Sequence, residues 1–359
     1  MAKAPKTSGL ILPSDPLFYE LPPPPGSEPE RDVAKRLTTL ANEDPEEGEA
    51  APVEGGPPTV PGACDGHIHI FADPKRFPPW DRAPYRPAPF TVDDYRAVQR
   101  RLGLDRVVVV QSSVYGFDHD CLIDALEALD TGPSGEGIGH ARGVAAVSPE
   151  VSDGELRDLE AAGCVATRFQ MRDPWRLIDW TDTDRLAGRV HDLAGWDVAL
   201  QMDGRFLHEV EQRIRAWPGR VILDHLGCFL GPIGDRGPGM RALLRLIDAD
   251  KLWVKLSGPE ESGDGPPRWQ HQTRIARQLV RFAPERLVWG SNWPHPSAFE
   301  APPDDRALLD LLLEWTEDES LRDRILLDNA AELWRFPEPS VSAIPDTPSA
   351  SPTKEPELH

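Results

Sequence analysis

The sequence is poor in the features that mark secreted, membrane-bound or nucleic-acid-binding proteins. Its four cysteines (Cys64, Cys121, Cys164, Cys228) stand far apart without CxxC spacing, so neither a zinc knuckle nor a disulfide framework is expected, only reduced thiols. Cationic residues are scarce: 39 Lys and Arg face 60 Asp and Glu in 359 residues, a formal charge of −21. That balance argues against a nucleic-acid partner, because affinity for phosphate rests on clustered cations. No apolar run approaches the roughly 18 residues of a membrane span, and the opening MAKAPKTSGLILPSDP has too short an apolar stretch for a signal peptide. The expectation is a soluble, cytoplasmic protein. A glycine-rich nucleotide turn, which an open doubly wound sheet would need, is also missing.

Proline, by contrast, is abundant and unevenly placed: of 39, 12 fall in residues 1–60 and 6 in residues 337–359. The first segment carries 5 basic and 11 acidic residues and no sustained periodicity. It cannot bury enough apolar area to offset chain entropy, and the same holds for the C-terminal stretch, so both are expected to be disordered tails. One apolar patch, residues 10–21 (LILPSDPLFYEL), is a candidate to dock on the globule or a partner. Residues 61–336 remain, with 33 basic against 45 acidic residues, a net charge of −12. A domain of that size matches the roughly 250 residues of a (β/α)8 barrel.

Short runs rich in Val, Ile and Leu recur through this region, each followed by helical spacing, which is the pattern of parallel strands buried on both faces. Eight are found: 63–71 (ACDGHIHIF), 106–112 (RVVVVQS), 143–147, 165–170 (VATRFQ), 197–202 (DVALQM), 221–225 (VILDH), 252–257 (LWVKLS) and 287–292 (LVWGSN). Amphipathic segments lie between them at 92–102, 153–162, 183–194, 206–217, 240–248 and 272–282. The pattern predicts an α/β fold, a single closed (β/α)8 TIM-type barrel with disordered N- and C-terminal tails.

Such a barrel carries its chemistry at the C-terminal strand ends and in the loops that follow. Those positions are polar here: Asp65, His67 and His69; Gln111 and Ser113; Arg168 and Gln170; Gln201 and Asp203; Asp224 and His225; Lys255 and Ser257; and Asn292 followed by His295. His67 and His69 stand two apart, so in a strand both imidazoles point to one side. Such a pair can share a metal ion or donate together to a carbonyl or carboxylate oxygen. His225 adds a third ring.

Eight motifs, in order, carry a resemblance: DGHIHIF (65–71), QSSVYGFDHDCLIDAL (111–126), RGVAAV (142–147), ATRFQ (166–170), LQMDGR (200–205), ILDHLG (222–227), WVKLSGP (253–259) and WGSNWPHP (289–296). Together they resemble the amidohydrolase superfamily, specifically the amidohydrolase-related branch that holds 2-pyrone-4,6-dicarboxylate lactonase and galactarolactone isomerase. Metal-bearing members of that superfamily use an HxH pair, a histidine after strand 5, another after strand 6 and an aspartate after strand 8. Here strand 5 ends in LQMDG and Asn292 stands after strand 8. A cation held by His67, His69 and His225 alone would have no anionic ligand, so the resemblance implies no metal and no other cofactor.

The resemblance also implies roles. His67, His69 and His225 would polarise the carbonyl of a small lactone, a contribution of about 3–4 kcal/mol for each well-aimed donor. The aspartate that would activate water is replaced by Asn292, whose amide cannot accept a proton at neutral pH. Either His225 or His295 takes the water proton, or a substrate hydroxyl attacks and the lactone migrates. Arg168 and Arg172 resemble arginines that grip substrate carboxylates. A further arginine expected after the SGP motif is missing, since residues 258–262 read GPEES, so the implied substrate has one carboxylate or several hydroxyls. Gln201 and Asp203 would receive hydroxyls; Ser113 and Tyr115 either bond the substrate or serve a turn and the core. Asp118 is expected to cap a helix beginning near residue 119, and Lys255, in a strand, needs a carboxylate partner or a lowered pKa. Trp80, Trp175 and Trp293 are candidates to wall the pocket. The implied partner is a small lactone or carboxylic substrate, with no nucleic acid and no membrane, and the oligomeric state is open. Two other readings stand beside it: a metal-dependent hydrolase or decarboxylase of the same superfamily, and a catalytically silent binding barrel.

Overall fold

A computed structural model of the chain describes residues 58–133, 139–230, 237–262, 265 and 269–337. Eight strands form one sheet in sequence order, and every neighbouring pair is parallel: β1 (Cys64–Ile68), β2 (Arg106–Val110), β3 (Ala141–Ala145), β4 (Cys164–Gln170), β5 (Asp197–Gln201), β6 (Val221–Leu223), β7 (Leu252–Leu256) and β8 (Leu287–Trp289). Helices surround them: α1 (Val92–Leu102), α2 (Asp120–Leu129), α3 (Asp153–Ala161), α4 (Trp180–Ala194), α5 (Leu207–Ala216), α6 (Pro238–Asp248), α7 (Gln270–Phe282), α8 (Asp305–Thr316), α9 (Glu319–Leu326) and α10 (Asp328–Trp334). The fold is the expected α/β TIM-type barrel. Among the described residues no helix is long and apolar enough to cross a membrane. The disorder expected of both tails, and the docking patch at 10–21, lie outside the described residues.

Local chemistry sets the helix ends. Thr91 and Asp94 form a reciprocal capping box at the start of α1, Ser152 and Glu155 do the same for α3, and Gly103 closes α1 in the left-handed conformation at φ 70°. Asp118 accepts from the Asp120 N–H at 3.0 Å, so it ties down the first turn of α2.

The barrel interior is built in layers. Cys64, Val108, Val110, Val144, Ala166, Ala199, Ile222, Trp253 and Val288 form one inner cluster, with Leu333, Trp334 and Phe336 closing the floor. Because strand side chains alternate with a period of two, the next inward positions above Ala166, Ala199, Ile222 and Trp253 are Arg168, Gln201, Asp224 and Lys255. An apolar floor therefore carries a polar layer on top of it.

β1 breaks that alternation. Its register shifts between Asp65 and Ile68, so Cys64 and His67, three apart, both face inward. Asp65 turns outward, where it accepts from the Ser291 hydroxyl (2.7 Å), the Ser291 N–H (2.9 Å) and the Tyr95 hydroxyl (3.2 Å). The bulge needs Gly66, since a Cβ there would lie 2.6 Å from the carbonyl oxygen of Trp289.

The expected strands overrun the observed C-terminal ends everywhere but at β4, and three of the overruns bear on the site. β1 ends at Ile68, β6 at Leu223 and β8 at Trp289, so His69, His225 and Asn292 sit in turns rather than in strands. Hydrogen bonds of the ladder stop where the side chains begin to converge on the mouth. The ring is completed there by loop residues: the Asn292 N–H donates to the His67 carbonyl (2.9 Å) and the His69 N–H to the Trp293 carbonyl (2.8 Å). Five non-glycine residues at the ends of β6 and β8 have positive φ: His225 (53°), Leu226 (54°), Cys228 (46°), Asn292 (66°) and His295 (63°). Each such residue costs about 1–2 kcal/mol, and such strain gathers where a site fixes its side chains.

Candidate active site

A pocket of about 400 Å3, counting its open mouth, lies over the polar layer. Eight of the residues singled out from sequence line it: His69, Ser113, Arg168, Gln170, Trp175, Gln201, His225 and Asn292. Tyr85, Ser112, Glu261, Pro296 and Ser297 complete the wall. Of these, Tyr85 and Ser112 meet at 3.3 Å, and nothing in the proline-rich loop around Tyr85 marks it in the sequence.

Proton positions in the floor follow from what each partner can do. An ammonium only donates, so Lys255 Nζ, 2.9 Å away, gives a proton to His67 Nδ1. A carbonyl only accepts, so His69 Nδ1 donates to Val110 at 2.8 Å. Between the two rings, His67 Nε2–H then donates to His69 Nε2 at 3.3 Å. Burial pushes both rings well below the ordinary histidine range, and Lys255 beside His67 and Arg168 beside His69 act in the same direction. Both are neutral, and the one lone pair of His69, a ring that lines the pocket, is met by the His67 N–H across a long 3.3 Å contact. This corrects the expectation of three parallel donors: both His67 nitrogens are spent inside the protein, and His69 holds an acceptor, engaged by His67, where a donor was expected. His225 Nδ1 lies 3.0 Å from the Ser257 hydroxyl, which can donate or accept, and its other nitrogen has no partner among the described residues.

Asp224 corrects a second expectation. The three imidazoles do have an anionic neighbour, since ligand atoms of His67, Asp224 and His225 all lie within 4.8 Å of one another. The set is nonetheless already filled by a cation, because Lys255 Nζ lies 2.9 Å from both Asp224 Oδ1 and His67 Nδ1. A divalent ion bound through Asp224 Oδ1 and His67 Nδ1 would have to displace the ammonium. Burial opposes charge on both partners. For Asp224 the ammonium and His67 outweigh it and hold the carboxyl well below its ordinary value; for Lys255 burial prevails and lowers the ammonium's. Lys255 Nζ, 2.9 Å from Oδ1, is the cation that faces the carboxylate, and Oδ2 has no partner among the described residues.

The two arginines part company. Arg172 pairs with Glu261 at 3.1 Å and is neutralised. Arg168 donates only to neutral oxygens, the Gln111 carbonyl at 2.9 Å and Gln201 Oε1, and its Nε has no partner among the described residues. It is 7% exposed and lowered by burial, a cation in the pocket floor with no carboxylate in ion-pair contact.

Three further expectations change. Asp203 is not in the pocket wall; it caps the turn before α5 and pairs with Arg205. Tyr115 lies in the core, where its hydroxyl accepts from the Ala72 N–H at 3.2 Å. His295, offered as an alternative base, is buried between Glu260 (Nδ1–Oε1 2.9 Å) and Asp305 (Nε2–Oδ1 3.1 Å). Of the tryptophans only Trp175 reaches the pocket, and Ser113, which does line it, spends its proton on the Trp175 carbonyl.

His295 gives a pH prediction. Burial opposes its charge, but the Asp305 and Glu260 hydrogen bonds outweigh it and push the ring up to about 9. A raised folded-state value stabilises the fold fully below the unfolded value of 6.5, and the contribution fades as pH rises through about 9. Between about pH 6 and pH 10, urea denaturation should show the parent losing roughly 3 kcal/mol more than His295→Gln. Equal losses would mean that the ring is neutral.

The amidohydrolase family profile matches residues 64–336. The chain is 34% identical over 246 residues to D-galactarolactone isomerase of Agrobacterium fabrum, covering 68% of this chain and 81% of that one. It is 33% identical over 285 residues to 2-pyrone-4,6-dicarboxylate hydrolase of Comamonas testosteroni, covering 76% and 90%. Among solved structures, an apo protein from Agrobacterium tumefaciens superposes with a TM-score of 0.71 at 32% identity, over 78% of this chain and 98% of that one. With its eight-stranded barrel and a histidine-lined mouth at the strand ends, this chain belongs to the amidohydrolase family.

Proposed function

We propose that this barrel rearranges a small lactone carrying one carboxylate and free hydroxyls, moving the ester link to a substrate hydroxyl rather than opening the ring with water, and without a metal. The charge balance of the pocket carries the reading. Lys255 answers Asp224 and Arg172 answers Glu261, which leaves Arg168, among the described residues, as the one positive charge in the pocket wall without an anion in ion-pair contact. A guanidinium in that state binds a carboxylate through paired donors. The relatives named as a galactarolactone isomerase and a pyrone dicarboxylate hydrolase support a lactone as substrate.

In this mechanism the attacking hydroxyl displaces the long His67 contact at His69 Nε2, which takes the hydroxyl proton as its oxygen bonds to the carbonyl carbon. Charge gathers on the carbonyl oxygen, where His225 Nε2–H donates to it. The ring C–O bond breaks, and the leaving alkoxide takes the proton back from His69. His69 thus supplies the base that Asn292 cannot be, and proximity of the internal nucleophile favours migration over attack by water.

Proton NMR of the δ-lactones of sugar diacids, in deuterated buffer with chelator, separates the outcomes. Conversion to the five-membered lactone faster than the enzyme-free control is expected. Accumulation of the ring-opened diacid would overturn migration, and loss of turnover on chelation would overturn the metal-free reading.

A further inference from the structure

Asn292 Nδ2 lies 2.9 Å from Glu260 Oε1, and the carboxylate can only accept, so this contact fixes which way the amide faces. The opposite end, Oδ1, is buried with no partner among the described residues, and Asn292 itself lines the pocket. Glu260, in the turn after β7 (Pro259–Ser262), is itself held: the same Oε1 receives His295 Nδ1–H at 2.9 Å, and His295 is anchored on its far side by Asp305, which Arg101 pairs in turn at 3.3 Å. The chain of contacts from α8 to the pocket thus ends in a carbonyl oxygen with nothing to accept.

We infer that Glu260 is the positioning residue that sets the site's specificity: it turns the Asn292 amide so that Oδ1 meets a substrate hydroxyl, and its charge bars a working carboxylate from position 292. The inference rests on the proposed lactone chemistry for its substrate and on the geometry alone for the amide. An unpaired buried acceptor costs about 1–3 kcal/mol until a donor arrives, so a ligand offering a hydroxyl there is favoured over one that does not. The second half follows from distance. A carboxyl at 292 would stand where the Nδ2 donor now lies against Glu260, and two carboxylates that close share a proton instead of both ionising. In place of a base, position 292 would hold an acid.

Two series test this. On a hydroxylated sugar-diacid lactone, Glu260→Met is expected to lower kcat/KM by about 10–100-fold, and on the analogue lacking that hydroxyl by under threefold. Glu260→Gln keeps an oxygen for the amide and restores the parent's discrimination. Asn292→Asp alone is expected to give no ring-opened product. The pair Asn292→Asp with Glu260→Gln is expected to hydrolyse: the new carboxylate removes a proton from water, hydroxide adds to the carbonyl carbon, the ring C–O bond breaks and the alkoxide recovers the proton. Equal losses on both lactones in Glu260→Met, or hydrolysis by Asn292→Asp alone, would overturn the inference. Should the parent act on no lactone, the proposed function fails, and nitrogen-15 NMR still decides on Glu260. The Asn292 side-chain amide protons, assigned by their loss in Asn292→Ala, must move upfield in Glu260→Met and hold in Glu260→Gln; an unmoved resonance in Glu260→Met refutes the contact.

Discussion

Lys255→Met is expected to lower the unfolding free energy by about 3–5 kcal/mol, a large fraction of the stability of a domain. Methionine fills nearly the same volume, so packing survives, but Asp224 is left as a fully buried charge without its ammonium, facing only the neutral His67 ring at 3.6 Å. His67 Nδ1 loses the hydrogen bond it accepts from Lys255 at the same moment. Adding Asp224→Leu should recover most of the loss, because removing both members of a buried pair is far cheaper than removing one. Urea denaturation of the two variants reads this directly. A loss under about 1 kcal/mol in Lys255→Met would mean that the carboxyl is protonated in the fold.

His69→Gln is expected to cut the single-turnover rate by about 10²–10⁴-fold, the usual worth of a positioned base, while the melting transition moves little. The pH profile carries a second signature. Burial first, then Arg168, pushes the His69 ring well below its ordinary value of 6.5, so the neutral, proton-accepting form persists on the acid side. The parent's rate should stay flat through pH 6.5 and fall only as pH drops through that lowered value. A rate that halves near 6.5 would assign the base elsewhere.

The barrel was legible in the sequence because a strand buried on both faces writes itself as a run of Val, Ile and Leu: RVVVV and LWVKL leave little choice of conformation. Strand ends were less legible, since His225 and Asn292 adopt left-handed backbone that no local pattern in VILDH or LVWGSN announces. The site's membership was readable at HxH, Arg168 and Asn292, whose polar side chains stand where a barrel would otherwise place aliphatics. Roles were not. Whether His69 donates or accepts is decided by the Val110 carbonyl on a neighbouring strand, and whether Arg172 is free to grip a substrate is decided by Glu261, 89 residues away. Asp224 appeared only as a polar strand end because its meaning depends on Lys255 across the barrel. Likewise His295 reads as a base in isolation, and only Glu260 and Asp305 together turn it into a structural cation.

Where the first and last strands of the ring meet, the other seven junctions' ladders of at least three paired residues give way to a single bridge, Ile68 to Trp293, and two amide bonds. The weakest stitch of the cylinder is thus also the one that sets His67, His69 and Asn292 side by side. Any breathing of the ring at that stitch separates the proton acceptor from the amide opposite it. Mechanical integrity and reactivity here share the same two bonds, and the exchange rate of the His69 and Asn292 amide hydrogens measures both at once.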